Sequence, residues 1–412
     1  MKVIGIFLVT VALMAGVVGC AGPAEEEKEG EEVRYELTID STAGGSVTKP
    51  GEGRFTYDGG TVVVLVATSE AGYGFDGWTG DAGAVYDAGK RVTTITMNGG
   101  YSITANFSKR IDYPYSGRVR LHAGSDADDY TWFSFVPDDL RESSTYYLLL
   151  TAEGGDLDYE TTIEGVRGLT TFFSSNPSLS DLICIGVAIP RGEEEQEEPG
   201  QYAVAMPAGV FSDAIDKKFY RPDLKVSAII EDFTGELESY GITVHDKVLM
   251  WGFSNSAFFA HRYCFLHPER VKAVAIGGYT SLTMGMDTYS NRRLNWPLGT
   301  SDFSTLTSVD FDVDAYNSIP KFIFIGEEDT GSYQPTVFSP ESCWNQDVFT
   351  LDQCQILYDI ADTDPIRVQN QAVIMSDNGD NITFKIYPGI GHQFCSEMQY
   401  DAGVFFANII NE

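Results

Sequence analysis

The chain has 412 residues, which is enough for one large domain and a smaller one. Its 60 acidic residues outnumber its 27 basic residues and give a formal net charge of −33 at pH 7. A charge of this sign and size argues against a nucleic-acid partner and against capture of polyanionic substrates. The simplest interpretation of the excess is a solvated acidic surface.

The first segment, residues 1–20, is typical of an export signal. Lys2 supplies a positive charge, an apolar run extends from Val3 to Val18, and the segment ends in the letters VVGC. This ending resembles bacterial lipoprotein signals, in which the chain is cut before the cysteine. The resemblance implies a lipid on Cys20 and a protein exported to a bacterial cell membrane or cell surface. An ordinary secretory signal and an uncleaved anchor are the alternatives.

Residues 21–33 contain the acidic run EEEKEGEE and too few apolar residues to fold, which predicts a disordered tether. Residues 34–108 instead alternate apolar and polar residues between Gly and Asn turns, which predicts a small antiparallel β domain. The phrases GYGFDGWTGD and TITMNGGYSITANF resemble the divergent internalin B-repeat modules of bacterial surface proteins. The resemblance implies a spacer or adhesion element that makes cell-surface contacts. Trp78 and Tyr73 are interpreted as packing residues.

Residues 109–115 form a linker, and residues 116–412 alternate strand-like and helix-like segments. This alternation predicts an α/β domain with a mainly parallel sheet and helices on both faces. The strands are expected at Val119–Leu121 and Thr131–Val136, as an antiparallel edge pair, and then at Tyr146–Leu150, Leu182–Ile189, Val248–Trp251, Val271–Ile276, Lys321–Ile325 and Thr383–Tyr387. The helices are expected at Asp223–Tyr240, from Ala257, at Ile366–Met375 and at Ala402–Ile410.

An insertion at about residues 279–319 is longer than the usual connection in such a sheet and is rich in aromatic residues. We interpret it as a cap or pocket wall. The alternative is a surface excursion with its own small apolar cluster.

The segment that follows residue 247 carries the strongest chemical signal. A short apolar strand runs directly into GFSNS at residues 252–256, and a helix starts at once. A serine between small residues at a strand-to-helix turn is a nucleophile elbow, which lifts the serine oxygen clear of the sheet. The usual fifth residue is glycine, and here it is Ser256. The stretch resembles the α/β-hydrolase family, with Ser254 as the nucleophile. A plain turn in another parallel α/β sheet is the alternative.

A serine hydroxyl needs a base to take its proton and an acid to orient that base. The α/β-hydrolases supply them in the chain order serine, acid, histidine. Here Asp329 follows one predicted strand and His392 lies in a Gly-rich loop after the last strand, so the three side chains are expected to meet at one edge of the sheet. Glu327 and Glu328 compete as the acid, and the family's spacing beyond the strand selects Asp329.

The resemblance also implies two backbone N–H donors for the oxyanion that forms in the transition state. The first is expected at Asn255, and the second at Gly154, in a loop after the Tyr146–Leu150 strand. Many relatives carry His-Gly-Gly there, whereas this chain has Glu153 before the glycines. The departure leaves the second donor open and places a carboxylate near a developing anion. A plain turn is the alternative for these glycines.

We expect no metal and no organic cofactor, because the sequence has no C-x-x-C and no H-E-x-x-H and its five histidines are scattered. Export permits disulfides. Cys184 and Cys264 lie in apolar segments and are expected in the core. Cys343 and Cys354 lie in a loop-like stretch, where they can bridge each other or one of them can bridge Cys395.

Together these features predict an extracytoplasmic serine hydrolase, in the first place a carboxylic-ester hydrolase working through an acyl-enzyme. The elbow and its helix are similar to secreted polyester depolymerases and feruloyl-esterase-like proteins, which implies a small-molecule or polymer-derived ester as substrate. A serine peptidase of the same fold is one rival. A non-catalytic, lipid-anchored surface adhesion or binding protein is the other.

Overall fold

The structure is a computed structural model that describes residues 33–124, 130–155, 179, 182–190, 203–279, 281–330 and 349–411. The export-signal prediction, Cys20, most of the tether and Cys343 lie outside these residues. The chain divides into two compact units, the first built largely from residues before 107 and the second largely from those after it. Within the described ranges, no helix has the length and apolar character needed to cross a bilayer.

The first unit is all β. Its strands are β1 (Arg34–Ser41), β2 (Gly45–Lys49), β3 (Gly53–Asp58), β4 (Val62–Ser69), β5 (Tyr73–Gly80), β6 (Val92–Thr96) and β7 (Tyr101–Lys109). They form one sheet in the order β3-β1-β7-β5 and another in the order β2-β4-β6. The expectation of purely antiparallel pairing is wrong at one place, because β1 and β7 pair in parallel.

Burial in the first unit follows the alternation in the sequence. Successive residues of a strand point to opposite faces, so Leu37 and Ile39 of β1 are fully buried while their neighbours are not. Trp78 is only 3% exposed, and its indole N–H donates to the carbonyl oxygen of Lys90 at 3.0 Å. Trp78 is therefore a core residue, as expected.

The second unit alternates strands and helices, as the sequence predicts. Its described strands are β8 (Val119–His122), β9 (Thr131–Phe135), β10 (Thr145–Tyr146), β11 (Leu148–Gly155), β12 (Ile183–Pro190), β13 (Thr243–Val244), β14 (Val248–Phe253), β15 (Val271–Gly277), β16 (Thr288–Tyr289), β17 (Arg292–Arg293), β18 (Lys321–Gly326) and β19 (Ile382–Tyr387). Its described helices are α1 (Pro222–Ser239), α2 (Asn255–Leu266), α3 (Phe303–Thr307), α4 (Val313–Ser318), α5 (Leu351–Ile360), α6 (Asp364–Asp377) and α7 (Ser396–Asn411).

The main sheet of the described residues has eight strands in the order β8-β9-β12-β11-β14-β15-β18-β19. In this sheet, β12, β11, β14, β15, β18 and β19 pair in parallel with one another in that order. The strands β8 and β9 form an antiparallel pair at one edge, and β9 is also antiparallel to β12. After the edge pair β8 and β9, the chain forms β11 and then β12, which lies between β11 and β9. The later strands β14, β15, β18 and β19 follow one another on the other side of β11. This order is that of the α/β-hydrolase fold, so the predicted fold class and the antiparallel edge pair are confirmed.

Helices cover both faces of this sheet, which explains why β18 is buried at all of its residues. One face packs on α1 and α2 through side chains such as Phe233 and Phe259. The other face packs on α7, whose Met398 and Phe406 belong to one buried apolar cluster with Trp251 of β14.

Several predicted boundaries are wrong, and the last helix begins at Ser396 and not at Ala402. The strand expected at Tyr146–Leu150 continues to Gly155, because its residues stay in parallel register with β12 as far as Gly155 opposite Pro190. Gly154 therefore lies in a strand and not in a loop. Cys354 lies in α5 and not in a loop, since Thr350 and Gln353 form a capping box that starts a helix there.

The cysteines divide into two classes. Cys354 is disulfide-bonded, whereas Cys184, Cys264 and Cys395 are free. The suggested bridge from Cys354 to Cys395 is therefore wrong. Cys184 and Cys264 are buried, as expected of core residues.

The long insertion does not form a separate surface cluster, which was the alternative for it. Several of its apolar side chains join the main core under the sheet, among them Tyr279, Met284, Leu294 and Trp296. Its wall-forming role over the candidate site stays a prediction.

Candidate active site

The nucleophile elbow is present as a sharp, strained turn. Ser254 adopts φ 58° and ψ −122° between the last residue of β14 and the first residue of α2. Its backbone N–H donates to the carbonyl oxygen of Gly277 at 2.9 Å, which ties the turn to β15. A Cβ atom on Gly252 would lie 2.4 Å from the backbone of Ser256, so only glycine fits at the first motif position. A non-glycine residue held at positive φ costs conformational free energy, and such residues cluster at functional sites.

Serine at the fifth motif position is accommodated by local hydrogen bonds. The hydroxyl of Ser256 accepts a bond from the Phe253 N–H at 2.9 Å and donates to the Phe253 carbonyl at 2.8 Å. Ser256 is 1% exposed, so these bonds satisfy a group that would otherwise be buried without a partner. The departure from the usual glycine therefore braces the turn.

The structure brings the three proposed catalytic side chains together. The Ser254 Oγ atom lies 2.9 Å from Nε2 of His392. The Nδ1 atom of the same ring lies 3.0 Å and 3.2 Å from the two carboxylate oxygens of Asp329. Asp329 is fully buried, whereas the His392 side chain is 19% exposed. This is the connected serine–imidazole–carboxylate geometry that nucleophilic acyl transfer requires.

The two alternative acids do other work. Glu327 and Glu328 are exposed, and Glu327 Oε2 accepts a hydrogen bond from the backbone N–H of Gly389 at 3.0 Å. Glu327 thus anchors the loop that carries His392. Among the described residues, Asp329 is the carboxylate that meets the imidazole.

The remaining histidines are engaged elsewhere. His261 is fully buried and lies 2.9 Å from the Tyr316 hydroxyl. His267 follows the last residue of α2, and its ring lies 2.9 Å from an Asp223 carboxylate oxygen. The other two contact Ser134 and Tyr147 in the described structure: His122 by a hydrogen bond, and His245 by ring stacking.

The position of the triad follows from the strand order. β11 is followed in the chain by β12 on one side, while β14 lies on its other side. Ligands of open α/β sheets bind in the crevice at the carboxyl ends of strands where the order reverses in this way. Ser254 follows β14 directly and therefore lies at this carboxyl edge of the sheet.

Glu153 lies on β11 beside the elbow. Burial raises the pKa of its carboxyl, and interactions with the nearby hydroxyls of Ser256 and Thr151 partly offset that effect. The Thr151 hydroxyl donates to Glu153 Oε1 over 3.4 Å. The two departures from the family pattern, Glu153 and Ser256, are therefore neighbours in space.

The two expected oxyanion donors occupy different elements. Asn255 is the first residue of α2, where a helix leaves its first N–H groups without intrahelical acceptors. Gly154 is held in β11 opposite Ile189 of β12. The donor roles of both residues stay predictions.

Two residues beside the site were missed in the sequence. Phe253 and Phe394 have rings next to each other, and the Phe253 ring lies 5.4 Å from the His392 ring. The available signal was proximity in sequence, since Phe253 precedes Ser254 and Phe394 follows His392 by two positions. Within the described residues, no group of three or more His, Cys, Asp or Glu is placed to hold a metal ion.

Comparisons with known proteins divide along the two units. Residues 35–111 match the family model of the divergent InlB B-repeat domain. No curated protein matches the chain.

Solved structures with a similar fold cover most of the chain at low identity. Poly(aspartic acid) hydrolase-1 from Sphingomonas sp. KT-1 is 12% identical with a TM-score of 0.46, over 72% of this chain and 99% of that one. A poly(3-hydroxybutyrate) depolymerase from Bordetella parapertussis is 14% identical with a TM-score of 0.43, over 70% and 90%. A siderophore hydrolase from Aspergillus nidulans is 14% identical with a TM-score of 0.41, over 71% and 94%. The chain therefore carries a divergent InlB B-repeat domain, followed by a domain whose strand order is that of the α/β-hydrolase fold.

Proposed function

We propose that this chain is an exported serine hydrolase that cleaves carboxylic esters through an acyl-enzyme on Ser254. The observation that supports this most is the hydrogen-bonded path from Ser254 through His392 to Asp329. A non-catalytic surface protein has no use for a serine held at φ 58° and aligned on such a path.

Each member of the path has one task in the proposed reaction. Oγ of Ser254 attacks the ester carbonyl carbon while Nε2 of His392 accepts its proton. The imidazolium then donates that proton to the leaving alkoxide as the carbon–oxygen bond breaks. Asp329 holds the ring in the required tautomer and stabilises its positive charge. Water completes the cycle by attacking the acyl-enzyme, with His392 again as the base.

Backbone donors stabilise the negative oxygen that forms in each attack. The proposed donors are the N–H groups of Asn255 and Gly154, whose role is electrostatic and needs no proton transfer. We propose no metal or organic cofactor, because acyl transfer by this path needs none.

The proposed substrate is a small-molecule or polymer-derived ester. A net charge of −33 repels polyanionic substrates, which favours uncharged esters over acidic ones. The proposed location is a bacterial cell membrane or cell surface, where a lipid on Cys20 holds the protein and the β domain makes cell-surface contacts.

The experiment compares an ester and an amide that share one acyl group. Wild-type protein is assayed with p-nitrophenyl butyrate and with butyryl p-nitroanilide, beside Ser254→Ala, His392→Ala and the exposed-serine control Ser212→Ala. We expect ester cleavage by wild type and Ser212→Ala only, and no anilide cleavage. Comparable anilide cleavage would favour the peptidase alternative. Ester cleavage that survives in Ser254→Ala would contradict the proposal.

The anchor is tested separately in cell fractions. Wild-type protein should sediment with membranes and carry a lipid mass on Cys20, and Cys20→Ala should lose both properties. Wild-type protein found free of lipid would overturn the anchor but leave the proposed chemistry intact.

A further inference from the structure

Aromatic rings form a row that starts at the candidate base. The Phe253 ring lies 5.4 Å from the His392 ring, and the Phe394 ring lies 5.7 Å from Phe253. Beneath this row, Phe394 also meets the ring of Trp251 at 5.1 Å and that of Phe324 at 6.4 Å. We call Phe253 and Phe394 the aromatic row.

The aromatic row packs on buried rings on one side, and Phe394 is partly exposed to solvent. Trp251 and Phe324 are 7% and 0% exposed, whereas Phe394 is 38% exposed. Gly278 has φ +58°, and a Cβ there would lie 2.7 Å from the Phe253 ring. The Phe253 ring therefore rests directly on backbone, and a ligand that meets this surface orders few further groups on binding.

The direction of the row relative to the reaction decides which part of an ester meets it. In acyl transfer, the imidazole must give its proton to the leaving oxygen, so the alcohol portion lies on the histidine side of the nucleophile. The acyl portion lies on the other side. The aromatic row begins at the Phe253 ring, which lies 5.4 Å from the ring of His392, the residue beside which the alcohol portion leaves.

We propose that Phe253 and Phe394 form the binding site for the alcohol portion of the substrate and select aromatic, uncharged leaving groups. The proposal rests on the proposed ester hydrolysis. Aromatic rings favour other rings in offset or edge-to-face contact, with a gain beyond simple burial. The exposed carboxylates of Glu327 and Glu328, on the segment that carries Asp329, add repulsion against anionic alcohols.

The test uses 2-phenylethyl acetate and ethyl acetate, which have the same acyl group and alkoxides of similar reactivity. The full-length protein is compared with Phe394→Ala, Phe394→Leu and the control Tyr400→Ala, whose ring is 70% exposed on α7. Thermal unfolding confirms that each variant is folded. The readout is the ratio of kcat/KM for the two esters, together with kcat at saturation.

We expect Phe394→Ala to lower that ratio about fivefold to thirtyfold, since aromatic contact and burial act together. Phe394→Leu should fall between, because it keeps apolar area and loses the ring. Tyr400→Ala should match wild type. Where hydrolysis of the acetyl-enzyme limits the rate, kcat should be the same for both esters and the same in wild type and variants, because both esters form the same acetyl-enzyme.

Failure of this proposal is distinct from failure of the proposed function. Equal losses on both esters, or none, would overturn the alcohol-binding role while ester hydrolysis stands. Absence of any Ser254-dependent hydrolysis would overturn the proposed function, and the binding site with it.

Discussion

The two units of this chain bury their strands differently. In the first unit, β4 alternates buried and more exposed residues, so each strand gives one face to the core and one to solvent. In the second unit, β18 is buried throughout, because helices cover both faces of the sheet. A parallel sheet also ends its strands at one edge, and Ser254, Asp329 and His392 each lie beyond such an end. The comparison teaches that the covered sheet provides convergent, rigid positions for chemistry, whereas the alternating unit provides surface.

The largest expected effect concerns Asp329, whose carboxylate contacts the imidazole of His392. Asp329→Asn should lower kcat by about 10⁴-fold, because the amide stabilises the wrong imidazole tautomer and cannot stabilise the imidazolium. Steady-state ester hydrolysis measures the loss. The matched control is Glu327→Gln, which keeps a side-chain acceptor near Gly389 and should change kcat little. A loss confined to Glu327→Gln would reassign the acid.

A substitution in the first unit sharpens the comparison from the other side. Trp78→Ala should destabilise the β domain by about 3–5 kcal/mol, since it removes a buried indole from a small core. Chemical denaturation followed by circular dichroism measures it, with Tyr86→Ala, whose ring is 89% exposed, as control. Ester hydrolysis should continue in both variants. Loss of ester hydrolysis in Trp78→Ala together with the loss of stability would show that catalysis depends on the folded β domain.

Acid stability of the second unit should depend on Asp223, a buried carboxylate in the first turn of α1. Burial works to raise the pKa of Asp223, but bonds from His267 and Arg221 outweigh it and hold that pKa below its usual 3.8. The stabilisation is therefore fully present above pH 3.8 and lost as the pH falls through the lower folded-state pKa.

Asp223→Asn should thus lower the free energy of unfolding by about 1–3 kcal/mol at neutral pH, as expected for breaking a buried charged network. The difference from wild type should shrink towards pH 3, as measured by urea denaturation at several pH values. The exposed control Asp213→Asn should show no such trend. A difference that is constant with pH would contradict the assignment.

The smallest expected effect is at Glu153. Burial raises the pKa of this carboxyl, and glutamine keeps its size and a side-chain oxygen, so kcat/KM should change by less than about fivefold. As the pH rises through that pKa, wild type gains a negative charge beside the elbow and should lose activity. Glu153→Gln should remove this decline from the pH–rate profile. An unchanged decline would assign it to another group.

Much of this arrangement could be predicted because it depends on local signals. Apolar runs set the buried strands, and the tight GFSNS turn and the chain order of serine, acid and histidine placed Ser254, Asp329 and His392 at strand ends. The divergent internalin B-repeat likeness was equally local, since two turn-rich phrases carried it. Its match over residues 35–111 confirms that prediction.

The remainder depends on partners distant in sequence. Glu153-Gly154-Gly155 reads locally as a turn, yet parallel pairing with β12 keeps it in a strand. The parallel contact of β1 with β7 is also non-local. The start of α5 is the exception, because the capping pattern of Thr350 and Gln353 is a local signal for the start of a helix. The meeting of Phe394 with Phe253 required the folded chain.

The central claim is that Ser254 is an activated nucleophile, and covalent labelling tests it most directly. Wild type, Ser254→Ala and His392→Ala would be treated with a fluorophosphonate probe and examined by intact mass and peptide mapping. The account predicts one adduct on wild type, mapped to Ser254, with none on either variant. A folded wild-type sample that stays unlabelled, or an adduct on another serine, would contradict it.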